Sequence, residues 1–197
     1  MSSLYTWYPQ IVWDVENGED VDLSSMEAAC EEIHGAMEGW GTDENTLTDV
    51  LGSKSAEDRY IISKQYAEMY ETSLYDELGD ETGGDYGKAI KLLALSPPEA
   101  EAKMVQRALK GFGAREQHLI PLIVARSNPD ITLLKRAYFE MYGSDMVSDL
   151  SENLSGDLQK LLVMCAQGIE DNYDPDDTHT EDRVMEDTDA FYEAGQG

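Results

Sequence analysis

The sequence predicts an all-α chain made of repeated modules of about five short helices. Three observations lead there: self-similarity at a spacing of 72 residues, apolar side chains at helical intervals, and capping signals ahead of several apolar runs. No alternating strand pattern competes in the repeated region.

The self-similarity is specific. Sliding the chain by 72 positions lays Gly39-Trp40-Gly41 over Gly111-Phe112-Gly113 and pairs Glu44 with Glu116, Leu47 with Leu119, and Leu51 with Ile123. The same shift brings Tyr66-Ala67-Glu68-Met69-Tyr70 onto Tyr138-Phe139-Glu140-Met141-Tyr142, Leu78 onto Leu150, and Gly84-Asp85 onto Gly156-Asp157. One register holds without a gap.

Each copy reads as a series of helices. The first copy opens with a helix from about Ser25 to Ala36, and its counterpart is announced by Ser96-Pro97-Pro98-Glu99, a capping box with proline in the first turn. Met104, Ala108 and Leu109 share a face of that counterpart. Leu47, Val50 and Leu51 mark a second helix, matched by Leu119, Leu122 and Ile123, and Pro121 inside the later copy is expected to kink it. Ser55 and Asn128-Pro129 look like caps opening the third, tyrosine-bearing helix. A short helix follows around Leu74 to Leu78, and a fifth from about Asp85 to Leu95.

Composition narrows the partners. The 197 residues include 41 acids against 14 bases, a formal charge of -27. Such a surface repels phosphate, so nucleic acid is not an expected partner, and an anionic membrane requires a cation in between. Hydrophobic residues make up 41%, enough for a folded core. Cys30 and Cys165 are far apart and form no CxxC pattern, which excludes a disulfide-stapled scaffold. No stretch approaches the roughly 18 apolar residues of a membrane span. The N-terminus lacks the basic start and apolar run of a signal peptide, so the expected location is cytoplasmic.

The segment Met37-Glu38-Gly39-Trp40-Gly41-Thr42-Asp43-Glu44 carries the chemistry. Two glycines permit backbone angles that turn successive carbonyls outward into one small space, and calcium takes six to eight oxygens, carbonyls included. A plain interhelical turn, with Asp43 and Glu44 at a helix N-terminus, uses the same residues.

Met-Glu-Gly-Trp-Gly-Thr-Asp-Glu resembles the signature of the annexin family, usually Met-Lys-Gly-x-Gly-Thr-Asp-Glu, and Ser96-Pro97-Pro98-Glu99 is similar to its inter-repeat junction. The 72-residue spacing matches the length of its repeats. The resemblance covers roughly residues 24 to 197. It implies annexin-like five-helix repeats packed as a right-handed superhelical array: repeat 1 over 24–96, repeat 2 over 97–168, an acidic linker over 169–183, and the first helix of an incomplete third repeat over 184–197. Residues 1–23 form an N-terminal segment. Two complete repeats are half of the usual four.

The resemblance also implies a ligand set for Ca2+. The carbonyls of Met37, Gly39 and Gly41 would coordinate, joined by an acid from the loop between the fourth and fifth helices. The ungapped register selects Glu81, with Asp80 as the alternative. In the second copy Gly111 and Gly113 persist, but Ala114 and Arg115 replace Thr42 and Asp43, and Asn153 stands where Glu81 does. A weak or empty second site is expected, with Glu152 able to contribute only through a shifted loop. Trp40 and Phe112 occupy the position between the glycines. Each either meets the membrane at headgroup level or packs on its own module.

The function implied is calcium-dependent binding to acidic phospholipid membranes, peripheral when calcium is raised. The alternative is a structural or protein-interaction scaffold in which calcium and lipid binding are weak or lost. Self-association through faces left uncovered by missing repeats is a further expectation.

Other classes find little support. His34, His118 and His179 are scattered with no HExxH, Gly39-Trp40-Gly41 has Glu44 where a dinucleotide fingerprint needs glycine, and no P-loop occurs, so an enzyme is not expected. An EF-hand starting at Asp174 fails, with His179 at its sixth position and Met185 at its twelfth. Val184, Thr188, Phe191 and Tyr192 share one face of the closing helix.

Overall fold

A computed structural model describes residues 26–110, 116–124, 126–168, 176 and 180–196. Eleven α-helices occur among them, with no strand. The first copy comprises α1 (Glu27–Met37), α2 (Glu44–Ser53), α3 (Ala56–Tyr70), α4 (Leu74–Glu81) and α5 (Gly84–Ile90), the last continued by a 3-10 turn over Lys91–Ala94. The second comprises α6 (Pro97–Leu109), α7 (Glu116–Ile123), α8 (Asn128–Tyr142), α9 (Met146–Asn153) and α10 (Gly156–Gln167). A separate helix, α11 (Glu181–Ala194), follows.

The 72-residue shift holds in three dimensions. It superimposes both ends of α3 on those of α8 and both ends of α4 on those of α9, and aligns the starts of α2 with α7 and of α5 with α10. Local chemistry sets these boundaries. Asp58 and Ser55 form a reciprocal capping box at α3, while Ser127 accepts from Asp130 N–H at α8. Glu99 accepts from both the N–H and the hydroxyl of Ser96 at α6.

Each copy builds its own core. Ile33, Leu47, Leu51, Ile62, Tyr66, Leu74 and Leu78 are fully buried in the first, and Leu119, Ile123, Ile131, Leu134, Tyr138, Leu150 and Leu162 in the second. A tyrosine–acid pair repeats with the modules. Tyr138 donates to Asp149 at 2.7 Å, and Glu77, the residue in register with Asp149, stands near the Tyr66 phenol. Burial, then the carboxylate, pushes both phenols far above their ordinary range. The first copy adds His34, whose Nδ1 lies 3.0 Å from the Tyr66 hydroxyl and whose ring stacks on Tyr70 at 3.9 Å. In the second copy Arg126 meets Glu101 at 2.6 Å, both largely buried, tying α6 to the start of α8.

Several local expectations need correction. The third-helix cap in the second copy is Ser127, with Asn128 and Pro129 inside the first turn where proline's missing N–H costs nothing. Helix α7 accommodates Pro121 and ends two residues later, so it has eight residues against ten in α2. Met104 is 38% exposed, and Val105 takes the inward position. The fifth helix of the first copy does not run on to Leu95, because its last turn tightens to 3-10. Helix α11 starts at Glu181, capped by Thr180, inside the stretch expected to be linker. Its apolar face of Val184, Phe191 and Tyr192 is exposed.

Candidate functional site

Helix α1 ends at Met37, whose side chain is anchored in the first core, while Glu38 to Gly41 project outward. The Asp43 N–H donates to Ala36 O at 2.8 Å and closes the base of this loop. Gly39 and Gly41 have φ of 102° and 86°, conformations that L side chains rarely adopt, so both positions require glycine. Among the described residues, no hydrogen bond ends on the carbonyl oxygens of Met37, Gly39 or Gly41.

Asp43 then caps α2, its carboxylate accepting from Thr46 and Asn45 N–H and from the Thr46 hydroxyl at 2.9 Å. Those bonds, the Thr46 amide foremost, hold its carboxyl below the usual range. Asp43 is thereby committed to the helix. It does not supply the remote acid.

The far end of α4 lies beside the loop. The Thr42 hydroxyl lies 2.8 Å from Glu81 O and 3.3 Å from Glu81 Oε2, across 39 residues of chain. Glu81 is the last residue of α4 and is exposed. The α4–α5 corner is held from two sides. The Tyr86 hydroxyl donates to Glu44 O at 2.8 Å and lies 3.1 Å from the Thr48 hydroxyl. Gly87 packs so closely on Thr82 that a Cβ there would sit 2.8 Å from its backbone carbonyl.

The geometry therefore brings Glu81 to Thr42, the residue that follows Gly41, and leaves Trp40 fully exposed between the glycines. Asp80 is exposed one position earlier, and no contact joins it to the loop among the described residues. Backbone carbonyls and a carboxylate are hard oxygens of the kind calcium takes. No group of three or more His, Cys, Asp or Glu side chains fit to hold a metal gathers among the described residues.

In the second copy Gly111, Phe112 and Gly113 lie outside the described residues. Asn153, the residue in register with Glu81, turns its amide back to donate to Asp149 O at 2.8 Å. The position in register with Thr82 is Leu154, which is buried. What sequence reasoning missed is Thr42 as the link to Glu81 and Tyr86 as the brace of the corner. The only sequence signal was Thr42's replacement by Ala114 in the copy that also lacks the acid.

Comparison with known proteins gives a consistent picture. The family model described as Annexin matches residues 28–93 and 100–165. The chain is 35% identical over 165 residues to annexin A13 of Mus musculus, covering 84% of this chain and 51% of that protein. Among solved structures, chicken annexin V matches with a TM-score of 0.72 at 28% identity over 86% of this chain and 52% of that one. A calcium-bound annexin (Sm)1 matches with a TM-score of 0.65 at 25% identity over 77% and 47%. The chain spans about half the length of the curated relatives it matches.

Proposed function

The chain belongs to the annexin family, whose members bind Ca2+ and phospholipids, and from that premise we propose that it binds acidic phospholipid surfaces in a calcium-dependent way through its first repeat. The observation that carries this reading is the hydroxyl of Thr42 resting on Glu81, which joins the glycine loop to the one carboxylate it requires.

The residues divide the work. Met37 roots the loop in the core, and Gly39 and Gly41 supply the backbone angles that present carbonyls outward. Thr42 aligns Glu81, and Tyr86 and Gly87 hold the corner that carries it. Calcium, when bound, would neutralise Glu81 and accept a lipid phosphate oxygen in place of water. Trp40 stands outermost and would settle at headgroup depth, where indole is favoured. The formal charge of -27 makes attachment steeply metal-dependent, since without a bridging cation the two surfaces repel within the screening length of about 8 Å.

Only the first repeat is complete in this scheme. With Asn153 committed to its own helix and no acid in register, the second contributes little. Co-sedimentation with phosphatidylserine vesicles, with and without a chelator, tests the reading. Binding with calcium that is lost in Glu81→Gln supports it. Binding that survives the chelator, or never occurs, would instead favour a scaffold role.

A further inference from the structure

Helix α11 has 14 residues and none of them is buried. Val184 and Met185 are exposed, as are Phe191 at 85% and Tyr192 at 68%. Helical spacing gathers these four with Thr188 on one stripe. An isolated helix of this length is marginal in water and draws its stability from packing an apolar face. The helix carries six acids against Arg183 alone, and Asp187 and Asp189 border the stripe on its two sides. An anionic lipid surface suits such a helix poorly, because interfacial helices carry lysine and arginine on the polar face. A protein groove is the better match.

An open apolar groove lies on the second repeat. A cavity of about 430 Å³ is walled by Leu92 from the 3-10 turn, Met104 from α6, and Pro121 and Leu122 from α7. Its ionisable side chains are Arg107 and His118, and no acid lines it among the described residues, in a chain with 41 acids and 14 bases. Arg107 meets no carboxylate at ion-pair distance among those residues. No residue of α11 lines the groove, so the chain's own helix is not seated in it.

The helix and the groove complement each other in charge and in area. The acids beside the stripe face a groove whose one fixed charge is the Arg107 guanidinium. That attraction acts at contact, whereas the general repulsion between two chains of charge -27 is screened beyond about 8 Å. Phenylalanine and tyrosine bury about 150–250 Å² each, so one helix offers roughly 300 Å² of aromatic surface. Exchange between two copies counts that area twice, and the grooves lose a similar amount. The contact then reaches on the order of 1,200 Å², the lower edge of stable interfaces, before Val184 and Met185 are added.

We propose that the groove takes α11 of a second copy of this chain, with the Phe191–Tyr192 face against Met104, Pro121 and Leu122 and the flanking acids at Arg107. Each copy lends its helix to the other, so two chains close as a two-fold dimer. The contact needs no calcium, because no residue of the Glu81 site belongs to it.

The test is sedimentation velocity of the full chain in chelator over a range of concentrations. The expected result is a concentration-dependent shift from the 22.0 kDa monomer to twice that mass. Phe191→Ser with Tyr192→Ser should weaken dimerisation at least about a hundredfold, the loss of two buried aromatic side chains. No residue of α11 is buried, so this pair leaves the repeats folded, and an unchanged thermal melt checks that. Arg107→Glu, at an exposed position, should weaken it at least about tenfold by setting like charges together. Adding Asp187→Lys and Asp189→Lys to Arg107→Glu should recover much of that loss. A monomer at every concentration overturns the proposal. Amide shifts at Met104 and Leu122 between that monomer and the double serine variant would then assign the groove to the chain's own helix. A dimer indifferent to the serine substitutions overturns it too, by placing the contact elsewhere. So does a dimer that the serines break and Arg107→Glu leaves intact, which would be helix pairing with helix.

Discussion

The Thr42 hydroxyl is within hydrogen-bond reach of both the backbone oxygen and the carboxylate of Glu81, at 2.8 and 3.3 Å. One side chain thus joins two loops that are 39 residues apart in the chain. Thr42→Val keeps the shape and removes the donor. It should weaken calcium affinity about fivefold, the value of roughly one hydrogen bond, with Thr42→Ser close to the parent. Titration calorimetry with calcium reads both. Equal affinities for the valine and serine variants would remove Thr42 from the site.

Trp40 is fully exposed, whereas Met37 three residues earlier is buried. With Trp7 and Trp13 replaced by phenylalanine, Trp40 emission should shift to the blue when phosphatidylserine vesicles and calcium are both present. It should not move with either alone. An unchanged spectrum under full vesicle binding would show that the indole stays in water.

Two backbone positions predict opposite effects on stability. Glu71 ends α3 at φ 56°, in the left-handed region, where Gly143 ends α8 at φ 66°. Glu71→Gly should stabilise the fold by about 1 kcal/mol, because a side chain in that region is strained. Gly87→Ala forces a Cβ to within 2.8 Å of the Thr82 backbone and should cost about 1–3 kcal/mol while displacing the corner that carries Glu81. Denaturant melts measure both, and calcium binding by Gly87→Ala should fall as well.

Asp145 caps α9, accepting from Ser148 N–H at 2.8 Å and from its hydroxyl at 2.9 Å. The backbone bond foremost, against a smaller cost of burial, lowers its carboxyl pKa below the ordinary 3.8. A folded-state pKa below the unfolded one stabilises at pH above the unfolded value, and the effect is lost as pH falls through the folded value. Asp145→Ala should therefore cost about 1 kcal/mol at pH 7, with the gap to the parent closing below about pH 3.8. The matching cap in the first repeat is Ser73, which does not titrate, so Ser73→Ala should show a pH-independent loss. Thermal melts across pH 2 to 7 separate the two behaviours.

The two thiols should differ in reactivity. Cys30 is fully buried, and burial reinforced by Glu27 pushes its pKa up to about 11, so almost no thiolate exists at neutral pH. Cys165 is partly exposed. A disulfide exchange reagent at pH 8 should modify Cys165 first and Cys30 only as fast as the first repeat opens. Simultaneous labelling of both would contradict the packing of α1 on α3.

Much was readable from the chain because the information is local. The capping boxes at Ser55 and Ser96, the helix starts 72 residues apart and the two positive-φ glycines around Trp40 each depend on a few neighbouring residues, whose geometry is preserved on folding. The same locality explains the small misses: a cap at Ser127 in place of Asn128, and Met104 outward where periodicity allowed either side. Tertiary structure decided what periodicity does not encode. The hydroxyl of Thr42 meets Glu81 across 39 residues, Tyr86 braces the start of α2, and Lys91 and Lys103 meet the Tyr75 ring from two other elements. Such meetings follow from how packed helices direct their ends, and loop ends carry no repeating pattern from which to read them in advance.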